Sequence, residues 1–164
     1  MTRYARFRTP LGPVFATAVD NAITGIYFEG QRHAPAISPE WREDPGHAAL
    51  AQCTCQVIGY LEGRRDSFDL PLAPAGTPFQ QRVWKEIAAI PRGRTLSYSD
   101  LARRAGAPGA ARAAGAATAR NPLSIVVPCH RVVGSGGSLT GYAGGIPRKV
   151  RLLELEGARQ AHAA

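Results

Sequence analysis

The sequence predicts an α+β chain in two parts: an N-terminal α/β domain with a small antiparallel sheet, and a C-terminal domain built around a helix-turn-helix. Three observations carry this expectation. A proline- and glycine-rich stretch, PLAPAGTPF at 71–79, divides the 164 residues near their middle. Strand-like patterning comes before it, and helical periodicity dominates after it. The charge also divides there. Residues 1–78 hold 7 Lys+Arg against 8 Asp+Glu, a net −1, whereas residues 79–164 hold 13 against 4, a net +9.

Taken in order, LGPVFATAVDNAITGIYFEG predicts two strands with Asp20-Asn21 at the turn between them. HAALAQCTCQVIGYLEG (47–63) sets Leu50, Cys53, Val57 and Leu61 at helical spacing, with Gly63 as the stop. Cys53 then lies on the packed side of that helix. His33, His47 and His162 fall in polar loops or the tail and carry no assigned chemistry. Residues 71–78 are expected to link a domain of residues 1–73 to one of residues 74–164.

After the linker, TPFQQRVWKEIAAIPRG predicts a helix with Thr77 as N-cap and Pro78 at N1. Its apolar stripe is Phe79, Val83, Trp84, Ile87 and Ile90, and Pro91 ends it. SYSDLARRAG carries the S-x-x-D capping pattern at Ser97 and Asp100 and stops at Gly106. GAARAAGAATAR (109–120) gives the next helix, with seven alanines among residues 110–119. Helix, tight turn and helix in a basic domain fit a DNA-binding helix-turn-helix, and equally a structural αα-hairpin. The composition favours the former, because a helix with so little bulk can approach a partner closely, leaving Arg112 as its long projecting group. GIPRKVRLLELEG (145–157) closes the chain as a helix with Pro147 near its start and core residues Val150, Leu152 and Leu153.

Composition narrows the function classes. An apolar content of 45% suits a globular core, and no run approaches the roughly 20 residues of a membrane helix. The first residues lack the apolar segment of a secretory signal. Three cysteines (Cys53, Cys55, Cys129) form neither a disulfide framework nor paired metal ligands, which points to a reducing cytoplasm and no metal. The excess positive charge fits a phosphate-backbone binder, or the solvated face of an arginine-rich chain, since 18 of its 20 basic residues are Arg.

NPLSIVVPCHRVVGSGG (121–137) is the stretch with chemistry. In one continuous strand Cys129 and His130 would point to opposite faces, so either the trio Cys129-His130-Arg131 is incidental or the backbone turns to present the sulfur. Neighbouring positive charge and donors favour the reactive thiolate. A general base for it needs an orienting partner, for which Glu156 is the candidate. A structural cysteine in a buried turn is the competing reading.

PCHRV, the upstream NP, the downstream GYAGG and the LLELEG ending resemble the C-terminal domain of the O6-alkylguanine-DNA alkyltransferases. FQQRVW, IPRGRTLSY and AARAAG match that family in the same order, so the strong similarity covers about residues 77–157. The N-terminal TPLGPV and the helix-and-linker pattern resemble it more weakly. The resemblance implies a winged helix-turn-helix that enters the minor groove of double-stranded DNA and flips the damaged base into a pocket. It implies Cys129 as the nucleophile that takes the alkyl group irreversibly from O6-alkylguanine, with O4-alkylthymine as a second candidate substrate. His130 would deprotonate the thiol through a water, Glu156 would orient His130, and Asn121 would shape the turn. Tyr98 would donate to the purine and crowd the rotating phosphate, while Arg112 would fill the gap in the base stack.

The same similarity places Ala110, Ala111, Gly115 and Arg120 on the DNA-facing surface. It places Pro128, Val132, Tyr142, Ala143, Gly144 and Lys149 around the substrate pocket. Arg131 is expected to support the fold, and Lys149 fits a solvated helix N-terminus equally well. Ala143 stands where some members carry serine, so a hydroxyl contact to the base oxygen is missing. The zinc ligands of mammalian members have no clear equivalent. Cysteine stands at 129 rather than the tryptophan of alkyltransferase-like sensor proteins. Alkyl transfer leaves a thioether with no carbonyl for water to attack, so no cofactor is needed and the protein acts once. A monomer is expected, with cooperative loading along DNA left open. The alternative functions are a non-enzymatic winged-helix DNA binder with a structural cysteine, and a Cys129–His130 hydrolase.

Overall fold

A computed structural model describes residues 1–158 and the backbone of 162–163. The chain forms two compact units, Met1–Ala75 with Pro122–Val126, and Gly76–Asn121 with Val127–Ala164. The fold is α+β, as the sequence predicts. No helix among the described residues is long and apolar enough to cross a membrane.

The first unit is a sheet with one helix. Strands β1 (Thr2–Thr9), β2 (Gly12–Val19) and β3 (Ala22–Phe28) form an antiparallel meander. A two-residue strand, β4 (Arg42–Glu43), adds in parallel beside β1, giving the order β3-β2-β1-β4. The β2–β3 turn falls at Asp20-Asn21, with Asp20 at φ 52°, a conformation that aspartate tolerates better than most residues. The sequence pattern shows β2 and β3 but not β1. In TRYARFRT the arginines at 3, 6 and 8 leave Ala5 as the one fully buried residue, so no apolar alternation advertises the strand.

Helix α1 (Ala48–Leu61) packs on β1, β2 and β3; its Leu50, Cys53, Val57 and Tyr60 are buried, as are Val14, Ile23, Ile26 and Phe28 of the sheet. Each such large side chain contributes about 1.5–3 kcal/mol on burial. Cys53 lies on the packed side of α1, as predicted. His47 is more than a loop residue. Its side chain caps α1 by accepting from the Leu50 N–H at 3.5 Å, and its other ring nitrogen meets the Asp20 carbonyl at 2.8 Å. Serine, threonine or aspartate would have flagged a cap; histidine did not.

Two further segments complete the free edge of β3. Residues 71–73, the start of the expected linker, bond to Ile23 through Ile23 N–H to the Pro71 carbonyl (2.7 Å) and Ala73 N–H to the Ile23 carbonyl (2.8 Å). Further along the same strand, Ile26 donates to the Pro122 carbonyl (2.7 Å) and accepts from the Ser124 N–H (3.1 Å). Leu123 between them is fully buried.

The second unit begins with α2 (Pro78–Ala88). Thr77 and Gln80 form a reciprocal capping box ahead of it, with Pro78 in the first turn. Val83, Trp84, Ile87 and Ile90 are buried, and the Trp84 indole donates to the Ala117 carbonyl at 2.9 Å. Phe79, expected in the stripe, is half-buried beneath the Arg82 guanidinium. β5 (Leu96–Ser97) leads into α3 (Tyr98–Arg104), where Ser97 caps the helix by accepting from the Asp100 N–H. Gly106 and Gly109, both at positive φ, turn the chain into α4 (Ala111–Ala119), which packs on α3 and α2. β6 (Val132–Val133) pairs in parallel with β5, and β7 (Ser138–Leu139) pairs with β8 (His162–Ala163). The last helix, α5 (Ile146–Leu155), buries Leu152 and Leu153 but leaves Val150 only half-buried; Lys149 takes the core position instead.

Candidate active site

Ile125–Val133 is no continuous strand. Pro128 caps a single 3-10 turn, Cys129–Arg131, from which the chain enters β6. Cys129 is 4% exposed. Its N–H and the Asn121 side-chain amide both donate to the Val127 carbonyl, at 2.8 and 2.9 Å. The Asn121 side chain also hydrogen-bonds the thiol.

A turn of three residues per revolution lets consecutive side chains reach one neighbour, which a strand forbids. His130 and Arg131 use that freedom. Expected in separate roles, both grip Glu156, the residue that ends α5. His130 Nε2 lies 2.8 Å from Glu156 Oε2, Arg131 Nε donates to Oε1 at 2.9 Å, and Arg131 Nη2 donates to Oε2 at 3.0 Å. Arg131 Nη1 donates to the Ile90 carbonyl at 2.6 Å, which ties the chain just beyond α2 to the same cluster. His130 and Glu156 side chains are wholly buried. With Nε2 committed to Glu156, His130 Nδ1 is buried with no protein partner among the described residues.

Lys149 is not a solvated helix terminus. It is fully buried, and its ammonium donates to the carbonyls of Val132 (2.6 Å), Gly141 (3.1 Å) and Thr140 (3.4 Å). Its three donors meet three acceptors, which is how a buried ammonium can be tolerated. The sequence did hold a signal for it. Lys149, Leu152, Leu153 and Glu156 share one helical face at spacings of three, four and seven, so two charged groups ride on an apolar stripe.

Burial pushes the Cys129 thiol up, while the Asn121 hydrogen bond, the Lys149 charge and its own N–H pull it back. Burial lowers His130, against the Glu156 contact, and so keeps the imidazole neutral near pH 7. Lys149 drops to about 8 through burial, opposed by the thiol. Tyr142 is held well above its usual range by burial first and Cys129 second. Its hydroxyl is buried without a partner among the described residues, and its ring stands edge-on to His130 at 6.4 Å.

The structure therefore gathers Cys129, Asn121, His130, Glu156, Lys149 and Tyr142. Pro128 and Val132 frame the turn; the turn through Ala143 and Gly144 closes when Gly145 N–H meets the Tyr142 carbonyl at 2.9 Å. Ala110, Ala111, Arg112, Gly115 and Arg120 belong instead to α4 and its flanks. Ala110 caps α4 with no side-chain bond, Arg112 and Arg120 are exposed, and the Tyr98 ring stands over Gly115. Tyr98 is common to both groups, since its ring meets α4, its hydroxyl donates to the Thr140 carbonyl at 3.1 Å, and its titration feels Cys129. The Thr140 carbonyl, shared by Tyr98 and Lys149, and the Ile90 carbonyl were missed, because a backbone acceptor leaves no trace in residue type.

The family described as 6-O-methylguanine DNA methyltransferase, ribonuclease-like domain, matches residues 2–74, and its DNA binding domain matches residues 78–158. The chain belongs to this family. It is 45% identical over 159 residues to a methylated-DNA–protein-cysteine methyltransferase of Mycobacterium tuberculosis, covering 97% of this chain and 94% of that one. The homologue of that name from Methanosarcina acetivorans is 40% identical over 154 residues, covering 94% and 97%. The crystal structure of Mycobacterium tuberculosis OGT in complex with DNA superposes with a TM-score of 0.87 at 44% identity, covering 94% of this chain and 92% of that one. As a 6-O-methylguanine DNA methyltransferase, the chain performs direct-reversal repair by alkyl transfer to a cysteine, and the non-enzymatic alternative is not favoured.

Proposed function

We propose that Cys129 is the cysteine that accepts the alkyl group, once per molecule. The observation that carries this is the bonding of His130: Nε2 faces the Glu156 carboxylate and Nδ1 keeps its lone pair. A neutral imidazole held this way can take the thiol proton through one water. The sulfur then attacks the alkyl carbon as the carbon–O6 bond breaks. The electron pair returns to the purine, which Tyr98 supports as a hydrogen-bond donor and which recovers, by way of the imidazolium, the proton that left the thiol. Asn121 and Lys149 stabilise the thiolate as it forms, and Arg131 balances Glu156 so that the carboxylate can support the imidazolium.

The +9 half and the bare face of α4 fit double-stranded DNA bound through the minor groove. Arg112 occupies the space of the flipped base there, and Ala110, Ala111, Gly115 and Arg120 flank it. The pocket uses Pro128, Val132, Tyr142, Ala143 and Gly144, with backbone donors where other members offer a serine hydroxyl. The protein works as a monomer in the reducing cytoplasm, where its three free cysteines persist. Titration with a duplex containing O6-methylguanine tests the reading. Product should reach one equivalent per protein and stop, with affinity falling steeply as salt rises. Continued turnover, or salt-independent binding, would contradict it.

A further inference from the structure

The chain between α4 and Cys129 takes an unusual path. Asn121 and Val127 are joined at the neck of a five-residue loop by the Asn121 amide (2.9 Å to the Val127 carbonyl), and the loop itself, 122–126, is pinned to β3. At its tip the Ser124 hydroxyl donates to Gln31 Oε1 at 3.1 Å, and the same oxygen accepts the Phe28 N–H at 2.9 Å. Both side chains are buried, at 2% and 8% exposure.

Immediately after this pin the Val126 N–H returns to the Ser124 carbonyl at 2.9 Å, and Ile125 between them sits at φ 75°. That is the γ-turn of positive φ, a rare and strained conformation, here on a β-branched residue for which it is least favourable. A second γ-turn follows at once, of the common inverse kind. Pro128 has φ −81° and ψ 65°, and the Cys129 N–H meets the Val127 carbonyl at 2.8 Å. The 3-10 turn then closes with Arg131 N–H on the Pro128 carbonyl at 2.9 Å. From Ser124 to Arg131 the backbone is one hydrogen-bonded turn after another.

A strained residue persists only where its surroundings over-determine it. We infer that Gln31 is a positioning residue for the alkyl transfer: through Ser124 it holds Ile125 in the strained γ-turn that aims the Cys129 thiol. This rests on Cys129 being the acceptor. It also gives the N-terminal half a task in the chemistry beyond support. Gln31 touches neither thiol nor base; it fixes the start of the path.

The test measures single-turnover transfer at saturating O6-methylguanine duplex. Gln31→Leu, which removes the acceptor, should slow transfer about tenfold, in the range of a sub-ångström to one-ångström misplacement, with the DNA Kd moved less than about twofold. Gln31→Glu keeps an oxygen acceptor and should retain most of the rate. The decisive variant combines Gln31→Leu with Ile125→Gly. Glycine occupies φ 75° without strain, so the turn no longer needs its pin. The double variant should transfer about threefold faster than Gln31→Leu alone, although loss of the buried isoleucine lowers its Tm further. A purely structural role predicts the reverse, with rate following stability. Ser124→Ala, expected to slow transfer about threefold, is the milder probe should Gln31→Leu not fold.

The same ratios read with iodoacetamide at Cys129 follow the placement of the thiol without DNA. Wild-type protein that leaves O6-methylguanine intact would therefore refute the repair reading alone. Wild-type rates in Gln31→Leu and Ser124→Ala, or a double variant slower than Gln31→Leu, would overturn the positioning role.

Discussion

Two buried thiols occupy this chain, and they differ in what surrounds them. Cys53 is fully buried on the packed face of α1 among apolar side chains, and burial pushes it up to about 12 with nothing opposing. Cys129 is almost as buried, but an amide, an ammonium and a backbone N–H all pull its thiol back toward ionisation. Burial alone makes a cysteine inert. Burial with donors and a neutral base beside it makes one that stays protonated until the proton has somewhere to go.

The largest effect is expected at the sulfur itself. Cys129→Ser should abolish alkyl transfer while leaving DNA binding in place, as gel-shift and transfer assays on one preparation would report. Next comes the carboxylate paired with His130. Glu156→Gln leaves the Arg131 guanidinium without its counter-charge and deprives His130 of its charged partner. Unfolding should cost about 3 kcal/mol less and transfer should slow roughly 10²-fold, read by denaturant melts and single-turnover kinetics.

Lys149 sharpens the contrast through pH. Its pKa is lowered on folding from 10.5 to about 8, so between those values the unfolded chain holds a proton that the folded chain lacks. Its contribution to stability therefore rises with pH across that window. The raised thiols act oppositely above 9, where the folded state keeps protons that the unfolded state releases. The stability of wild type minus that of Lys149→Met should thus climb between about pH 8 and 10.5. The rate profile of Lys149→Met should also move to higher pH, because the thiolate loses its cation.

Arg112→Ala separates delivery from chemistry. The slope of log affinity against log salt should shrink by about 0.9, while a free O6-alkylguanine base should react at the wild-type rate. The smallest effect belongs to the inert partner. Cys53→Ala should leave transfer untouched and lower stability by about 1 kcal/mol, visible in Tm alone.

What the sequence disclosed follows from where its information sits. The capped helices α2 and α3, the alanine-rich α4, and the trio at 129–131 were legible because residue type and spacing encode them. Strand β1 was hidden by its arginines, and the His47 cap by an uncommon capping residue. The thiol's surroundings were only half legible. Asn121, His130 and Glu156 stand out as chemistry-bearing residues, whereas the carbonyls of Ile90, Thr140 and Val127 that organise Arg131, Lys149 and Asn121 belong to the backbone. The pinning of residues 122–126 to β3 joins segments about a hundred residues apart, and no local pattern reports it.

The most direct test of the account is the mass of the peptides after one reaction with a duplex carrying O6-methylguanine. The peptide containing Cys129 should gain one methylene, approaching one per protein, with the Cys53 and Cys55 peptides unchanged. A methyl group on either of those cysteines, or base repair with the Cys129 peptide unmodified, would contradict it.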